Sequence, residues 1–175
     1  MNPVLRVTDV EFGYHPGKPV LRDISFEVSP GEVFIILGAN GCGKSTLMRT
    51  ILGECKPTSG RITVGGDDVA SLGVKQLAQR LAMVFQDHSA PFPFTVLDVV
   101  KMGRTPHLPP FASPTKKDNV ICLEALETVG LKDLAFEPYT QLSGGERQLV
   151  LIARALAQRT GVVLMDEPTS HLDYR

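Results

Sequence analysis

The chain has 175 residues, 43% of them hydrophobic and 21% charged, a balance typical of one globular domain with a sizeable core. Its net charge of -1 gives no general attraction to nucleic acid or to an anionic membrane, and no apolar run approaches the ~18 residues that span a bilayer. The three cysteines are scattered, which argues against a disulfide framework and favours a reducing compartment. The N-terminus lacks the basic and then apolar segments of a signal peptide.

The first part of the chain alternates strand and helix patterns. Residues 4–14 and 24–28 alternate apolar and polar side chains, which predicts two half-buried strands. Residues 33–37 are continuously apolar and predict a strand covered on both faces of a parallel sheet. Residues 45–52 predict a helix ended by Gly53. Further patterns predict strands at 61–64 and 81–85 and a helix at 74–80.

The second part is mostly helical. Residues 96–102, 116–129 and 147–158 predict helices, and residues 162–165 predict a second buried parallel strand. Four prolines between residues 105 and 114 argue against a regular element there. The basic residues that flank this stretch are interpreted as a solvated face: Lys101, Arg104, Lys116 and Lys117.

A glycine-rich loop follows the apolar run of residues 33–37 and fits the pattern G-x-x-x-x-G-K-[ST]. Such a loop, here called the phosphate loop (residues 38–45), wraps its backbone amides around phosphates, and a lysine adds a mobile cation. A hydroxyl at its end can bind Mg²⁺, while a glycine-rich turn with an incidental lysine is the simpler alternative. The predicted ATP-binding residues here are Gly38, Ala39, Asn40, Gly41, Cys42, Gly43, Lys44, Ser45 and Thr46.

Two further segments carry candidate chemistry. Asp166 and Glu167 close the predicted strand at 162–165, so their side chains point in opposite directions, one towards a metal and one towards a water. We assign Asp166 to Mg²⁺ and Glu167 to activating the attacking water. Ser143-Gly144-Gly145-Glu146 opens a helix and exposes amides to an anion, although it also fits a capping box that needs no ligand.

Taken together, these motifs resemble the nucleotide-binding subunit of ATP-binding cassette (ABC) transporters over essentially the whole chain. Residues 38–45 match the family's phosphate loop, residues 142–148 its signature, residues 162–167 its aspartate–glutamate strand and residues 170–173 the loop after it. The resemblance also implies that Gln86 contacts Mg²⁺ and that Tyr14 stacks on adenine. Tyr14 as a core-strand tyrosine, and Gln86 as an ordinary strand end, are the alternatives.

The resemblance implies an α/β fold: a P-loop NTPase core with an antiparallel β-subdomain and an inserted helical lobe. We expect a single domain, with residues 1–86 and 161–175 as the nucleotide-binding core and residues 87–160 as the helical signature lobe. Two copies are expected to face head to tail, each ATP lying between Lys44 of one copy and Ser143, Gly144 and Gly145 of the other.

The implied function is an ATPase subunit that uses ATP and Mg²⁺ to power an importer. Its partners are a second copy, transmembrane permease subunits docked near residues 87–94 and, indirectly, a substrate-binding protein, with no role for nucleic acid. The expected location is the cytoplasmic face of the cell membrane, held there peripherally. Residues 95–107 and 167–173 are similar to importers of iron–siderophore complexes, haem and cobalamin, which makes iron–siderophore or a similar metal chelate the expected cargo.

The sequence stops at Arg175, before the family's next strand and the histidine that contacts the γ-phosphate. We therefore expect a truncated product in which the last part of the core is missing. Two alternatives stay open: a nucleotide-binding module with little or no hydrolysis, and a non-transport ABC ATPase acting on chromosomes or ribosomes. The lack of coiled-coil heptads and of a second cassette argues against the latter.

Overall fold

The computed structural model describes residues 2–85 and 94–166, which belong to two compact units, Met1–Leu81 and Ala82–Arg175. The predicted division into a core (1–86 and 161–175) and a helical lobe (87–160) stays a prediction. The predicted docking segment at residues 87–94 lies outside the described residues except for Phe94, and the loop at 170–173 lies wholly outside them.

The first unit is built on an antiparallel sheet of four strands in the order β2-β1-β3-β4. In the central strand, Val7 pairs with Phe26 on one side and Ile62 on the other. Val7 and Ile62 are both buried, and as directly paired residues their side chains lie on the same face of the sheet. The predicted antiparallel β-subdomain is therefore present. The unit's elements are β1 (Leu5–Phe12), β2 (Leu21–Val28), α1 (Lys44–Ile51), β3 (Ser59–Val64), β4 (Asp67–Asp68) and α2 (Val74–Ala78).

The strand predicted at residues 33–37 is absent from both sheets of the described chain, so this prediction is wrong. Val33, Ile35 and Leu37 are exposed by 86%, 70% and 88%, and Phe34 stacks on Phe26 with ring centroids 4.8 Å apart. An apolar run forms a strand only where neighbouring strands supply hydrogen-bond partners on its edges. Neither the four-stranded sheet nor the two-stranded one supplies them to this segment.

In the second unit, three helices pack around one apolar core. Side chains from each helix are fully buried, among them Val99, Leu126 and Val150, and each such side chain contributes about 1.5–3 kcal/mol. β5 begins at the last residue of the first unit and pairs with β6 in a two-stranded sheet. The elements are β5 (Leu81–Val84), α3 (Val96–Lys101), α4 (Lys116–Thr128), α5 (Gly144–Ala157) and β6 (Val162–Met165).

All three of these helices begin with the same reciprocal cap. A hydroxyl at the N-cap accepts a hydrogen bond from the backbone amide three residues later, and the acidic side chain there accepts from the N-cap amide. Such a cap contributes about 1 kcal/mol. It fixes where each helix starts, and α5 accordingly begins at Gly144 rather than at the predicted residue 147. The pairs are Thr95 with Asp98, Thr115 with Asp118, and Ser143 with Glu146.

The segment between α3 and α4 is more ordered than four prolines suggest. A 3-10 helix, Met102–His107, continues directly from α3 and contains Pro106. The strand predicted at residues 162–165 is found with those bounds, but only Val162 is buried and Met165 is 37% exposed. The remaining short 3-10 helices are Val69–Ser71, Lys132–Leu134 and Tyr139–Gln141.

Candidate nucleotide-binding site

The phosphate loop leads directly into the first turn of α1. Gly41 and Gly43 have φ angles of 80° and 105°, which residues with a Cβ rarely adopt. At Gly38 a Cβ would lie 2.6 Å from the sulfur of Cys42, a contact that rotation of the cysteine side chain relieves. The backbone therefore favours glycine most clearly at Gly41 and Gly43.

Lys44 folds back over this loop. Its Nζ donates hydrogen bonds to the carbonyl oxygens of Gly38 at 2.8 Å and Ala39 at 3.1 Å. The ammonium thus lies inside the curve of the loop and at the start of α1, whose first turn contains no acidic residue. The amides of the first helical turn, the helix dipole and the lysine cation all favour an anion at this point.

Tyr14 and Thr46 lie beside the loop. The Tyr14 hydroxyl is 3.4 Å from Thr46 Oγ1, in the first turn of α1, and its ring meets Phe12 edge to face at 5.0 Å. Tyr14 follows the end of β1 and is 53% exposed, so its ring offers an accessible aromatic face next to the phosphate loop. Its stacking on adenine stays a prediction.

All three cysteines are free thiols, in distinct surroundings. Cys42 is exposed within the phosphate loop, and its amide donates to the Ala39 carbonyl at 3.2 Å. Burial raises the pKa of the Cys122 thiol to about 11, as expected of a core side chain with no reactive role. Cys42 is therefore the accessible thiol at the candidate site.

The second predicted anion-binding element lies at the start of α5. We call Ser143, Gly144 and Gly145 the Ser143 corner; Ser143 and Gly144 are exposed and Gly145 is half-buried. The Ser143 hydroxyl donates to Glu146 Oε2 at 2.7 Å, and its amide donates to the same oxygen at 2.8 Å. These two hydrogen bonds lower the pKa of the Glu146 carboxyl, the hydroxyl having the larger effect.

The capping-box interpretation of this motif is confirmed, and its binding of an anion stays a prediction. The capping box is formed, and the two glycines lie at the accessible N-terminus of α5, a helix of fourteen residues. Arg147 lies behind the corner, where its Nη2 donates to the Thr140 carbonyl at 2.6 Å and its guanidinium sits 6.0 Å from the centre of the Tyr139 ring. These contacts tie the start of α5 to the preceding 3-10 turn.

Of the three predicted magnesium ligands, the structure describes Ser45 and Asp166. Ser45 lies in the first turn of α1, and Asp166 follows β6 directly, with its amide donating to the Val84 carbonyl at 3.1 Å. A hydroxyl and a carboxylate are each oxygen ligands of the kind that Mg²⁺ prefers, and these two residues belong to different units of the chain. Gln86 and Glu167 lie outside the described residues.

Two negative findings concern the residues that the structure describes. Within residues 2–85 and 94–166, no group of three or more His, Cys, Asp or Glu side chains is placed to hold a metal. Across the same two ranges, no helix combines the length and the apolarity that crossing a membrane requires.

Arg104 corrects the interpretation of the basic residues near the proline stretch as a solvated face. It is only 8% exposed, and its Nε donates to Asp118 Oδ1 at 2.9 Å. Lys101 is half-buried and pairs with Asp98 at 3.3 Å, whereas Lys116 and Lys117 are exposed as predicted. The sequence contains one pointer to this ion pair, the capping box of Thr115 and Asp118, which places the Asp118 carboxylate at the start of α4.

Comparisons with known proteins identify the family. A family model described as ABC transporter matches residues 21–170. The chain is 40% identical over 173 residues to the molybdate import ATP-binding protein MolC of Haemophilus influenzae, covering 99% of this chain and 63% of that protein. It is 44% identical over 165 residues to the cobalamin import ATP-binding protein BtuD of Halobacterium salinarum, covering 94% of this chain and 40% of that protein.

A solved structure gives the same result. The chain resembles a metal-chelate type ABC transporter in an inward-facing conformation with a TM-score of 0.84 and 40% identity, covering 99% of this chain and 63% of that one. The chain thus spans less than two thirds of the length of each of these three proteins. The α/β fold class predicted from the sequence is confirmed. With the phosphate loop and the Ser143 corner both inside the matched residues, the chain belongs to the ABC transporter family, as one of its ATP-binding domains.

Proposed function

We propose that this protein binds and hydrolyses ATP to power an importer, for iron–siderophore or a similar metal chelate. The observation that carries the proposal is the phosphate loop, where Lys44 Nζ is held by two loop carbonyls at the start of a helix that has no acid in its first turn. An ammonium and helix amides in this arrangement suit a triphosphate.

Each remaining residue is assigned the role that its chemistry allows. Ser45, Asp166 and Gln86 would hold Mg²⁺, which supplies charge neutralisation on the phosphates when it is bound. Glu167 would orient and polarise the attacking water, and Tyr14 would stack on adenine. The family membership and the order of these residues in the sequence support the assignments.

The site would be completed by a second copy. The Ser143 corner is an accessible helix N-terminus. Two adjacent glycines weaken a helix start, so capping alone does not account for them. Close approach of a triphosphate bound on another molecule does account for them. In a head-to-tail dimer, Lys44 of one copy and Ser143 of the other grip the same ATP. Permease subunits and a substrate-binding protein are the further partners, at the cytoplasmic face of the membrane.

A mixed dimer tests the head-to-tail arrangement directly. We combine one copy carrying Lys44→Ala with one carrying Ser143→Arg, purified through two different tags, and measure phosphate release. Both defects then fall in one site and the other site stays intact, so activity about half that of the wild type is expected. Each homodimer of a single variant is expected to be inactive and serves as the control. Activity of the mixed dimer no higher than that of the homodimers would contradict the shared site.

The role of Glu167 and the cargo need separate experiments. Glu167→Gln is expected to keep ATP binding and to accumulate the ATP-bound dimer in size-exclusion chromatography, whereas Lys44→Ala is expected to lose binding itself. For the cargo, the complex with its membrane subunits is reconstituted and ATP hydrolysis is measured with a ferric siderophore, cobalamin, haemin and molybdate. The names of the relatives, molybdate and cobalamin import, and the metal-chelate type structure support this choice of ligands. Stimulation by molybdate alone would refute the metal-chelate proposal.

A further inference from the structure

One buried guanidinium joins two helices of the second unit. Arg104 lies in the 3-10 helix after α3, where its Nε donates to Asp118 Oδ1 at 2.9 Å and its Nη1 donates to the Ala157 carbonyl at 2.8 Å. Asp118 is in the first turn of α4, and Ala157 is the last residue of α5. Arg104 therefore connects the beginning of one helix to the end of the other.

Two neighbours of Arg104 also hold the end of α5. A Cβ at Gly103 would overlap the carbonyl oxygen of Arg154, so only glycine allows the turn to lie this close to the helix. His107 Nε2 is 2.8 Å from the carbonyl oxygen of Gln158. The last carbonyls of a helix lack intrahelical partners and attract cations. We call Gly103, Arg104 and His107 together the α5 clamp.

Arg104 of the clamp forms a buried ion pair with Asp118. The hydroxyl and amide of Thr115, followed by Arg104, lower the pKa of the Asp118 carboxyl to about 2. Both side chains of the ion pair are only 9% exposed. Buried ion pairs are often no more stabilising than apolar residues of similar volume, because desolvation offsets the attraction. A buried pair that also holds a helix carbonyl therefore constrains the geometry of the two helices, in addition to any effect on stability.

The position of the clamp on α5 indicates which geometry it controls. The helix starts at the Ser143 corner and ends at the clamp, and its fourteen residues make a rod of about 20 Å. Fixing the last turn of a rigid rod fixes the rotation and the axial position of its first turn. We propose that Arg104 is a positioning residue for ATP hydrolysis, which sets the orientation of the Ser143 corner presented to ATP on the second copy. This inference rests on the function proposed above.

The chain offers a matched control for this idea. Arg159 and Glu124 also join the end of α5 to α4, with their charged atoms 2.8 Å apart, but their side chains are 55% and 56% exposed. This second pair has the same chemistry and links the same helices without a helix carbonyl and without burial. An exposed pair of this kind contributes little, so its replacement separates loss of an ion pair from loss of the clamp.

The test compares Arg104→Lys with Arg159→Lys. Lysine keeps the charge but cannot donate from two fixed nitrogens to Asp118 and Ala157 together. Three quantities are to be measured: binding of a fluorescent ATP analogue to dilute protein, ATP-driven dimerisation in the Glu167→Gln background, and phosphate release with Glu167 unchanged. Arg104→Lys is expected to leave nucleotide affinity within about twofold of wild type and to weaken dimerisation and turnover by about 10- to 100-fold. Arg159→Lys is expected to change all three by less than about twofold.

Hydrogen exchange distinguishes positioning from general destabilisation. In Arg104→Lys, faster exchange is expected in the last turn of α5 and at the Ser143 corner, with unchanged protection in α1. Uniformly faster exchange, or dimerisation within about twofold of wild type, overturns the inference. If Arg104→Lys does not fold, Asp118→Asn carries the same comparison, because it leaves the hydrogen bond to Ala157 and removes the charge that orients the guanidinium. A wild-type protein without ATPase activity would refute the proposed function instead.

Discussion

The carboxyl of Asp118 makes the stability of the protein depend on pH in a defined window. Its pKa is lowered from 3.8 to about 2 in the folded protein, mainly by the hydroxyl and amide of Thr115 and then by Arg104. Each pKa unit corresponds to about 1.4 kcal/mol, so the ionised carboxylate contributes about 2 kcal/mol to the free energy of unfolding at pH 7. The side chain is 9% exposed but lies close to the protein surface, where solvent screens charges, so about 2 kcal/mol is the upper value of this contribution.

The sign follows from the direction of the shift. A carboxyl with a lowered folded pKa stabilises the protein fully above its unfolded pKa, and this stabilisation is lost as pH falls through the folded pKa. The loss therefore occurs between about pH 4 and pH 2, and about half of it, or about 1 kcal/mol, is gone by pH 3. Asp118→Asn removes the titrating group, so the difference in unfolding free energy between wild type and variant should shrink across this window.

Urea unfolding followed by circular dichroism, at pH values from 7 down to 2.5, measures that difference. Glu124→Gln, in the exposed pair with Arg159, is the control and is expected to change the unfolding free energy at pH 7 by less than about 1 kcal/mol. A difference between wild type and Asp118→Asn that stays constant from pH 7 to pH 3 would refute the assignment of a lowered pKa to this carboxyl.

Three further changes have distinct expected results. Gly103→Ala forces a Cβ against the Arg154 carbonyl and is expected to lower the unfolding free energy by about 1–3 kcal/mol in urea titrations; an unchanged value would mean that the turn shifts freely. Ser143→Ala is expected to lower the unfolding free energy by about 1 kcal/mol through the lost cap, and to weaken ATP-driven dimerisation by more than that amount. Equal losses in the two measurements would mean that Ser143 acts only as a helix cap. Alkylation of the exposed Cys42 should block nucleotide binding and be slowed by ATP, as mass spectrometry of modification rates can show; equal rates with and without ATP would contradict its placement.

Local features of the site were predictable because they depend on residues close in sequence. The left-handed glycines Gly41 and Gly43 follow from the loop pattern, and the cap at Ser143 follows from its partner three residues later. The helix ended by Gly53 was likewise predictable, since that glycine has a φ of 72° and a C-terminal position that favours it.

Features that depend on distant partners were not predictable. Residues 33–37 are apolar enough for a buried strand, but a strand needs neighbours that their own sequence does not specify. The local sequence predicts a solvated Arg104, since its partners Asp118 and Ala157 lie 14 and 53 positions away. A charged side chain becomes buried when two such partners converge on it, which only the folded chain reveals.

The hydroxyl of Ser143 carries a single proton, and in this structure that proton is directed at Glu146. A phosphate oxygen that accepts the same proton removes one of the two hydrogen bonds that hold the Glu146 carboxylate, leaving only the one from the Ser143 amide. The pKa of Glu146 would then return towards its ordinary value, because the hydroxyl is the larger cause of its lowering. Occupation of the helix start by an anion is therefore thermodynamically linked to the proton affinity of a carboxylate in that helix's first turn.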